Sequence, residues 1–197
     1  MIGRISPILV AAALLASLPG CVSLGPEPPK QLIGLTSDAK VPAGEAKTTS
    51  DREAISVALP ALPAELRNSR IAVQSGASFA YLPNAAWVDM PSQMFRAVLA
   101  ETIEAKTGRF VPDRRNEAIT PDTRLAGTLA AFQLLGGQGR VLVVFDATLS
   151  KSGSDQIQAR RFEATSPASG EEAASVAAAL NRAANKIAAD VAEWVGK

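Results

Sequence analysis

The chain has 197 residues, a formal net charge of +1, a single cysteine and no histidine. Without histidine there is no Ser-His-Asp triad and no usual zinc ligand, and the commonest general base is missing. The net charge of a near-neutral chain gives no electrostatic case for nucleic acid or for a strongly charged membrane face.

Residues 1–20 read as a leader. Arg4 is followed by an almost wholly apolar run from Ile5 to Leu18, closed by Pro19-Gly20. A charged start, a short apolar run and small residues at the end form a signal-peptide pattern. The run is shorter than the ~20 residues that a membrane-spanning helix needs. Its end resembles the lipobox of bacterial lipoproteins, with Leu18 three places before Cys21 and Gly20 directly before it, although Pro19 stands where Ala or Ser is usual. That resemblance implies a diacylglycerol on the Cys21 sulfur, removal of the leader and an N-acyl chain, such as palmitate, on the new amine. One acyl chain holds a protein only marginally, whereas several on one residue hold it stably. No other cofactor is expected. Loss of Arg4 with the leader brings the formal charge to zero.

Residues 21–30 are the lipidated cysteine and a Pro-rich tether, with Pro26, Pro28 and Pro29 favouring extended backbone. Residues 31–197 read as one folded unit. Gln31–Leu35 is a first short strand, and Ser37–Asp51 a long, mobile loop. Ile55–Leu59 alternates and stops at Pro60, which predicts a strand. Arg70–Gln74 and Phe79–Leu82 are two more strands around a turn at Ser75-Gly76. Asp89 or Met90 caps a helix that opens on Pro91, carries Met94, Phe95, Val98, Leu99, Thr102 and Ile103 at helical spacing, and closes at Gly108.

Val111–Thr123 is a charged loop containing Arg114 and Arg115. Arg124–Leu135 and Arg140–Ser150 are long strands joined by the hairpin turn Gly136-Gly137-Gln138-Gly139, which lacks a phosphate loop's lysine and following helix. Gln156–Ala164, with Arg160 and Arg161, reads as a strand near a sheet edge, where a neighbouring copy could pair. Ser169-Gly170-Glu171-Glu172 matches a capping box. Behind it an alanine-rich helix runs to about Val195, with Val176, Leu180, Ala183, Ala184, Ile187, Val191, Trp194 and Val195 on its buried stripe. The expected fold is α+β: a largely antiparallel sheet of about five to six strands with two main helices packed on one face.

No catalytic or metal-binding set emerges. Glu171-Glu172 are sequence neighbours at a helix start, where acids favour the dipole without facing each other. Arg114-Arg115 and Arg160-Arg161 have acids beside them and read as solvated surface. Phe79, Tyr81 and Trp87 fall within nine positions in a chain with only 5% aromatics, so they are the candidate interface or pocket residues beside a core-filling reading.

The chain resembles the ABC-type transport auxiliary lipoproteins, which include the PqiC-like proteins. The resemblance rests on the lipobox at Cys21, the strand Ile55-Ser56-Val57-Ala58-Leu59-Pro60, the stretch Leu62–Leu66 and the strand around Ile71. It continues through Trp87-Val88-Asp89-Met90-Pro91, Phe162, and the last helix with Leu180-Asn181 and Trp194. The family tends to a tighter Trp-Ala-Glu-Pro before the first helix. The resemblance implies a non-catalytic, periplasm-facing adaptor, anchored in the outer membrane because Val22 and not Asp follows Cys21. Its partners would be an MCE-domain protein and an ABC transporter of the inner membrane, in lipid transport between membranes. Phospholipid is a candidate ligand, homo-oligomers a candidate state, and nucleic acid no partner. The alternatives are a lipoprotein assisting assembly of an outer-membrane complex, pilotin-like or lipopolysaccharide-export-like, and a hydrolase using carboxylates.

Overall fold

The structure is a computed structural model, and it describes residues 29–44, 46–113 and 119–196. The leader, Cys21, most of the tether, Arg114 and Arg115 lie outside the described residues. The strands are β1 (Gln31–Ile33), β2 (Ile55–Val57), β3 (Arg70–Ser75), β4 (Ser78–Trp87), β5 (Thr123–Leu135), β6 (Arg140–Lys151) and β7 (Ile157–Pro167). The helices are α1 (Pro91–Thr107) and α2 (Ala173–Val195), with a 3₁₀ turn at Ala64–Leu66. The α+β architecture with two helices on the sheet is as the sequence predicts.

The strands join one sheet in the order β1-β4-β3-β5-β6-β7, with β2 also on β5. Antiparallel ladders carry most of the pairing, and three short parallel pairings, β1 with β4, β2 with β5 and β3 with β5, make the sheet mixed. β2 and β3 form one interrupted rank along β5: β2 pairs with Thr123–Leu125 and β3 with Gln133–Leu135. Between them, Ala61 donates to Gly127 O at 2.9 Å and accepts from Leu129 N at 3.0 Å. Pro60 and Pro63 lack the N–H that a continuous strand would need, so the rank breaks there. Gly127 is required in β5: a Cβ there would run into the Asp146 carbonyl and lie 2.8 Å from the Phe145 ring.

The core lies between one sheet face and the helices. Val141, Val143, Phe145 and Ala147 of β6 point into it, because period-two alternation sends every second residue the same way. Phe145 stands opposite Leu129 on β5 and Phe162 on β7, and the Phe95 ring from α1 meets it edge-on at 5.3 Å. From α2, Val176, Leu180, Ala183, Ala184, Ile187 and Val191 are fully buried, while Trp194 is half-buried against Phe162 at 5.6 Å. The many alanines let α2 approach both α1 and the β6–β7 half of the sheet.

Two local expectations are corrected, and the cap of α1 falls on one of its two expected positions. The capping box does not form: Glu172 is the N-cap residue, extended at ψ 145, and makes no side-chain cap bond. Glu171 instead reaches the β5–β6 hairpin, where its Oε1 accepts from Gly137 N at 3.1 Å. Of the two expected cap positions for α1, Met90 is the cap, without a side-chain bond, and Asp89 Oδ1 accepts from Met90 N at 2.7 Å. The start of the 37–51 loop is a pinned strap. Asn181 and Asn185 accept from the backbone N–H groups of Thr36 and Asp38, each at 2.8 Å, and Asn185 Nδ2 donates to Thr36 O at 2.8 Å. Buried Ser37 shares a hydrogen bond of 2.9 Å with Thr102 of α1.

Candidate functional site

The structure divides the three aromatics that the sequence groups. Phe79 and Tyr81 lie two apart on β4 and pair with Gln74 and Ala72 of β3, on the face turned away from the helices. Trp87 has the same odd numbering, so a regular strand would place it beside them. β4 instead carries three more residues than β3 between the Ala72–Tyr81 and Arg70–Ala86 pairs. An odd insertion flips the side-chain parity of everything beyond it. Asn84, at φ 59, marks the bulge. Trp87 therefore enters the core, 2% exposed, with its ring 5.4 Å from Phe132.

Tyr81 is held on the outward face. Its hydroxyl donates to Glu65 O at 3.1 Å and accepts from Asn68 Nδ2 at 3.0 Å, while the Arg70 guanidinium lies 4.5 Å from its ring centroid. Phe79, near the β3–β4 turn, is 40% exposed. Of the predicted interface residues, these two remain on the surface and Trp87 does not. Lipid attachment at Cys21 falls outside the described residues.

The arginine pairs resolve differently. Arg161 forks onto Asp146 with contacts of 2.6 and 2.7 Å. That bond holds the Asp146 carboxyl below its ordinary range and raises Arg161. Arg160 lies 4.9 Å over the Phe162 ring. Both sit on β7, the sheet edge that the sequence predicts, and charged side chains on an open edge discourage uncontrolled strand pairing.

Two arginines that sequence reading missed tie the short β2 into place. Arg96 donates to Val57 O at 2.7 Å and Pro112 O at 3.3 Å. Arg109 donates to the carbonyls of Glu53, Ala54 and Val195 at 3.0, 3.0 and 3.2 Å, which joins the entry to β2 with the end of α2. Burial lowers its pKa from the ordinary value. β2 and its flanks leave carbonyls outside the ladder, and buried carbonyls need donors. The sequence signal for Arg109 was faint: a basic residue directly after the Gly108 cap, at φ 71.

An open cleft of about 920 Å³ lies between the ends of α1 and α2, with Lys106, Asp190 and Glu193 on its walls. Among the described residues, no group of three His, Cys, Asp or Glu side chains is placed to hold a metal ion. Among the same residues, no helix is long and apolar enough to cross a membrane.

Two solved structures share the fold. Protein XCC0632 from Xanthomonas campestris, assigned to the DUF330 family, superposes with a TM-score of 0.68 at 19% identity, over 84% of this chain and 94% of its own. An uncharacterized protein gives a TM-score of 0.67 at 16% identity, over 85% of this chain and 99% of its own. At these identities the likeness concerns fold alone. No curated protein sequence matches the chain. A family model for the ABC-type transport auxiliary lipoprotein component matches residues 35–192, a span that includes β2 to β7, α1 and most of α2. The chain belongs to the ABC-type transport auxiliary lipoprotein family.

Proposed function

We propose that the chain is a non-catalytic adaptor of an MCE-type lipid transport system, lipid-anchored in the outer membrane and facing the periplasm. The observation that carries this reading is the family match over residues 35–192, whose description is an auxiliary lipoprotein component of ABC-type transport. The sequence supports the finer parts. Residues 1–20 serve as the signal, residues 21–30 as acylated Cys21 and tether, and residues 31–197 as the auxiliary domain. Val22 after Cys21 favours the outer membrane by resemblance to the sorting rule of Gram-negative lipoproteins. The open cleft between the helix ends, with Lys106, Asp190 and Glu193 on its walls, fits docking of a protein segment better than enclosure of an acyl chain.

In this reading the chain supplies a fixed docking surface on the outer membrane, and an MCE-domain protein reaches it from the inner membrane. The test is isolation of the full chain from envelope extracts. An MCE-domain protein should co-purify, and Cys21→Ser should release the chain from the sedimented membranes. A deletion strain with unchanged envelope lipid balance and detergent sensitivity would overturn the proposal.

A further inference from the structure

The described chain begins at residue 29, and Lys30 leads into β1 at one edge of the sheet. Leu32 on this edge is 66% exposed, and Val88, just beyond β4, is 62% exposed. Leu32 is in register with Ala86, two residues before Val88, so Leu32 and Val88 share the face turned from the helices. Val88 folds back towards β1: a Cβ on Gly34 would stand 3.5 Å from its Cγ1, and its N–H donates to Ile33 O at 2.8 Å. Arg70 is also in register with Ala86, which lines up Leu32, Ala86 and Arg70 across three strands of the same face. Lys30 and Arg70 are both exposed. Asp89, the acid next to Val88, accepts the Met90 N–H at the start of α1.

We propose that this outward corner of β1 and β4, with Leu32 and Val88 as its apolar contacts and Lys30 and Arg70 as its cations, rests on an anionic lipid surface. The proposal rests on acylation of Cys21 and adds which side of the fold meets the bilayer. Two apolar side chains flanked by cations match the chemistry of an interface between headgroups and acyl chains. Leu32 and Val88 stand outside the five main clefts among the described residues, and a three-residue edge strand is a poor template for a long partner strand.

Chain length makes the choice of occupant. Cys21 precedes Lys30 by nine positions, and nine residues reach at most about 30 Å. The β1 edge is therefore leashed to the anchor. Ile157, the other strongly exposed large apolar residue among the described residues at 70%, sits on β7 at the far edge. Five strand spacings place that edge about 24 Å farther along the sheet.

The test uses the full acylated chain in vesicles of phosphatidylethanolamine and phosphatidylglycerol. With Cys21 acylated, a cysteine introduced as Leu32→Cys, Val88→Cys or Ile157→Cys is the one thiol open to a polarity-sensitive fluorophore. All three positions are exposed, and thermal melting checks that each variant keeps its fold. Brominated lipid should quench the label several-fold more at positions 32 and 88 than at 157. Equal quenching at all three positions, or a response at 32 and 88 to an added MCE-domain protein but not to bromolipid, overturns the proposal. Mass spectrometry of the same preparation separates the two failures. Unmodified Cys21 defeats the anchor and this surface with it, whereas an acylated chain with uniform quenching defeats this surface alone.

Discussion

The two halves of the sheet are built by different rules. On one side, β5, β6 and β7 form a meander of long strands joined by tight turns, with one register shift, between Leu129 and Ala131 of β5, and with register running continuously from Arg140–Pro167 to Ser150–Ile157 across β6 and β7. On the other, β1, β2, β3 and β4 are short or bulged, and their pairings include every parallel ladder in the described sheet, with an isolated parallel bridge from Ala61 to Thr128 between β2 and β3. The meander is closed by neighbours in sequence and depends on packing against the helices. The irregular half is closed by distant segments and depends on side chains that complete its backbone: Arg96, Arg109, Asn181 and Asn185. Regular pairing makes a stable slab, and irregular pairing leaves the surface features and the chain's exit.

The sharpest way to break the comparison is to remove packing from the regular half. Phe145→Ala empties the point where Leu129, Phe162 and Phe95 converge, and should cost about 3–5 kcal/mol of stability in denaturant unfolding. A loss below about 1 kcal/mol would mean that the meander does not carry the core. The next effect belongs to the irregular half. Asn185→Ala leaves the Asp38 N–H and the Thr36 carbonyl without their partner, at a cost of about 1–3 kcal/mol. Hydrogen exchange at Asp38 should speed up while β6 amides stay protected, and uniform acceleration would show that the strap and the meander unfold as one.

The smallest effect is a titration. Asp146 has a folded pKa held below its ordinary value by Arg161. A lowered carboxyl pKa adds stability that is fully present above the unfolded value, about 3.9, and is lost as pH falls through the folded one. Both partners are exposed, so solvent screening keeps this stabilisation small. In Arg161→Ala the Asp146 carboxyl, followed by NMR, should titrate higher, back in the ordinary range. An unchanged midpoint would remove the ion pair from solution.

Legibility followed the same division. β5, β6, α1 and α2 were readable almost to the residue, because each is a long run with a clear period and a marked end, such as Gly108 or the Gly136–Gly139 turn. β4 was read as Phe79–Leu82 but runs to Trp87, since Pro83 and Asn84 suggest a stop where the strand only bulges. The capping box was a false signal because Glu171 found a backbone N–H on another element. Tertiary contact replaced a local bond, and a local pattern cannot register that.

The candidate site was half legible. Aromatic spacing drew attention to β4, but the three extra residues that send Trp87 inward cannot be counted without β3 beside it. In the sequence Leu32 is an ordinary strand residue and Val88 belongs to the stretch before α1, and only their neighbours reveal that one sheet face leaves them uncovered. The sequence by itself determined the elements with strong periodicity, because hydrophobic spacing and turn chemistry are local properties, and its motifs carried the resemblance to the family. The tertiary structure alone decided the parallel pairings, the strap across the helices, and which apolar side chains face water. Each of those depends on contacts between residues far apart in the chain, and such contacts leave no period to read.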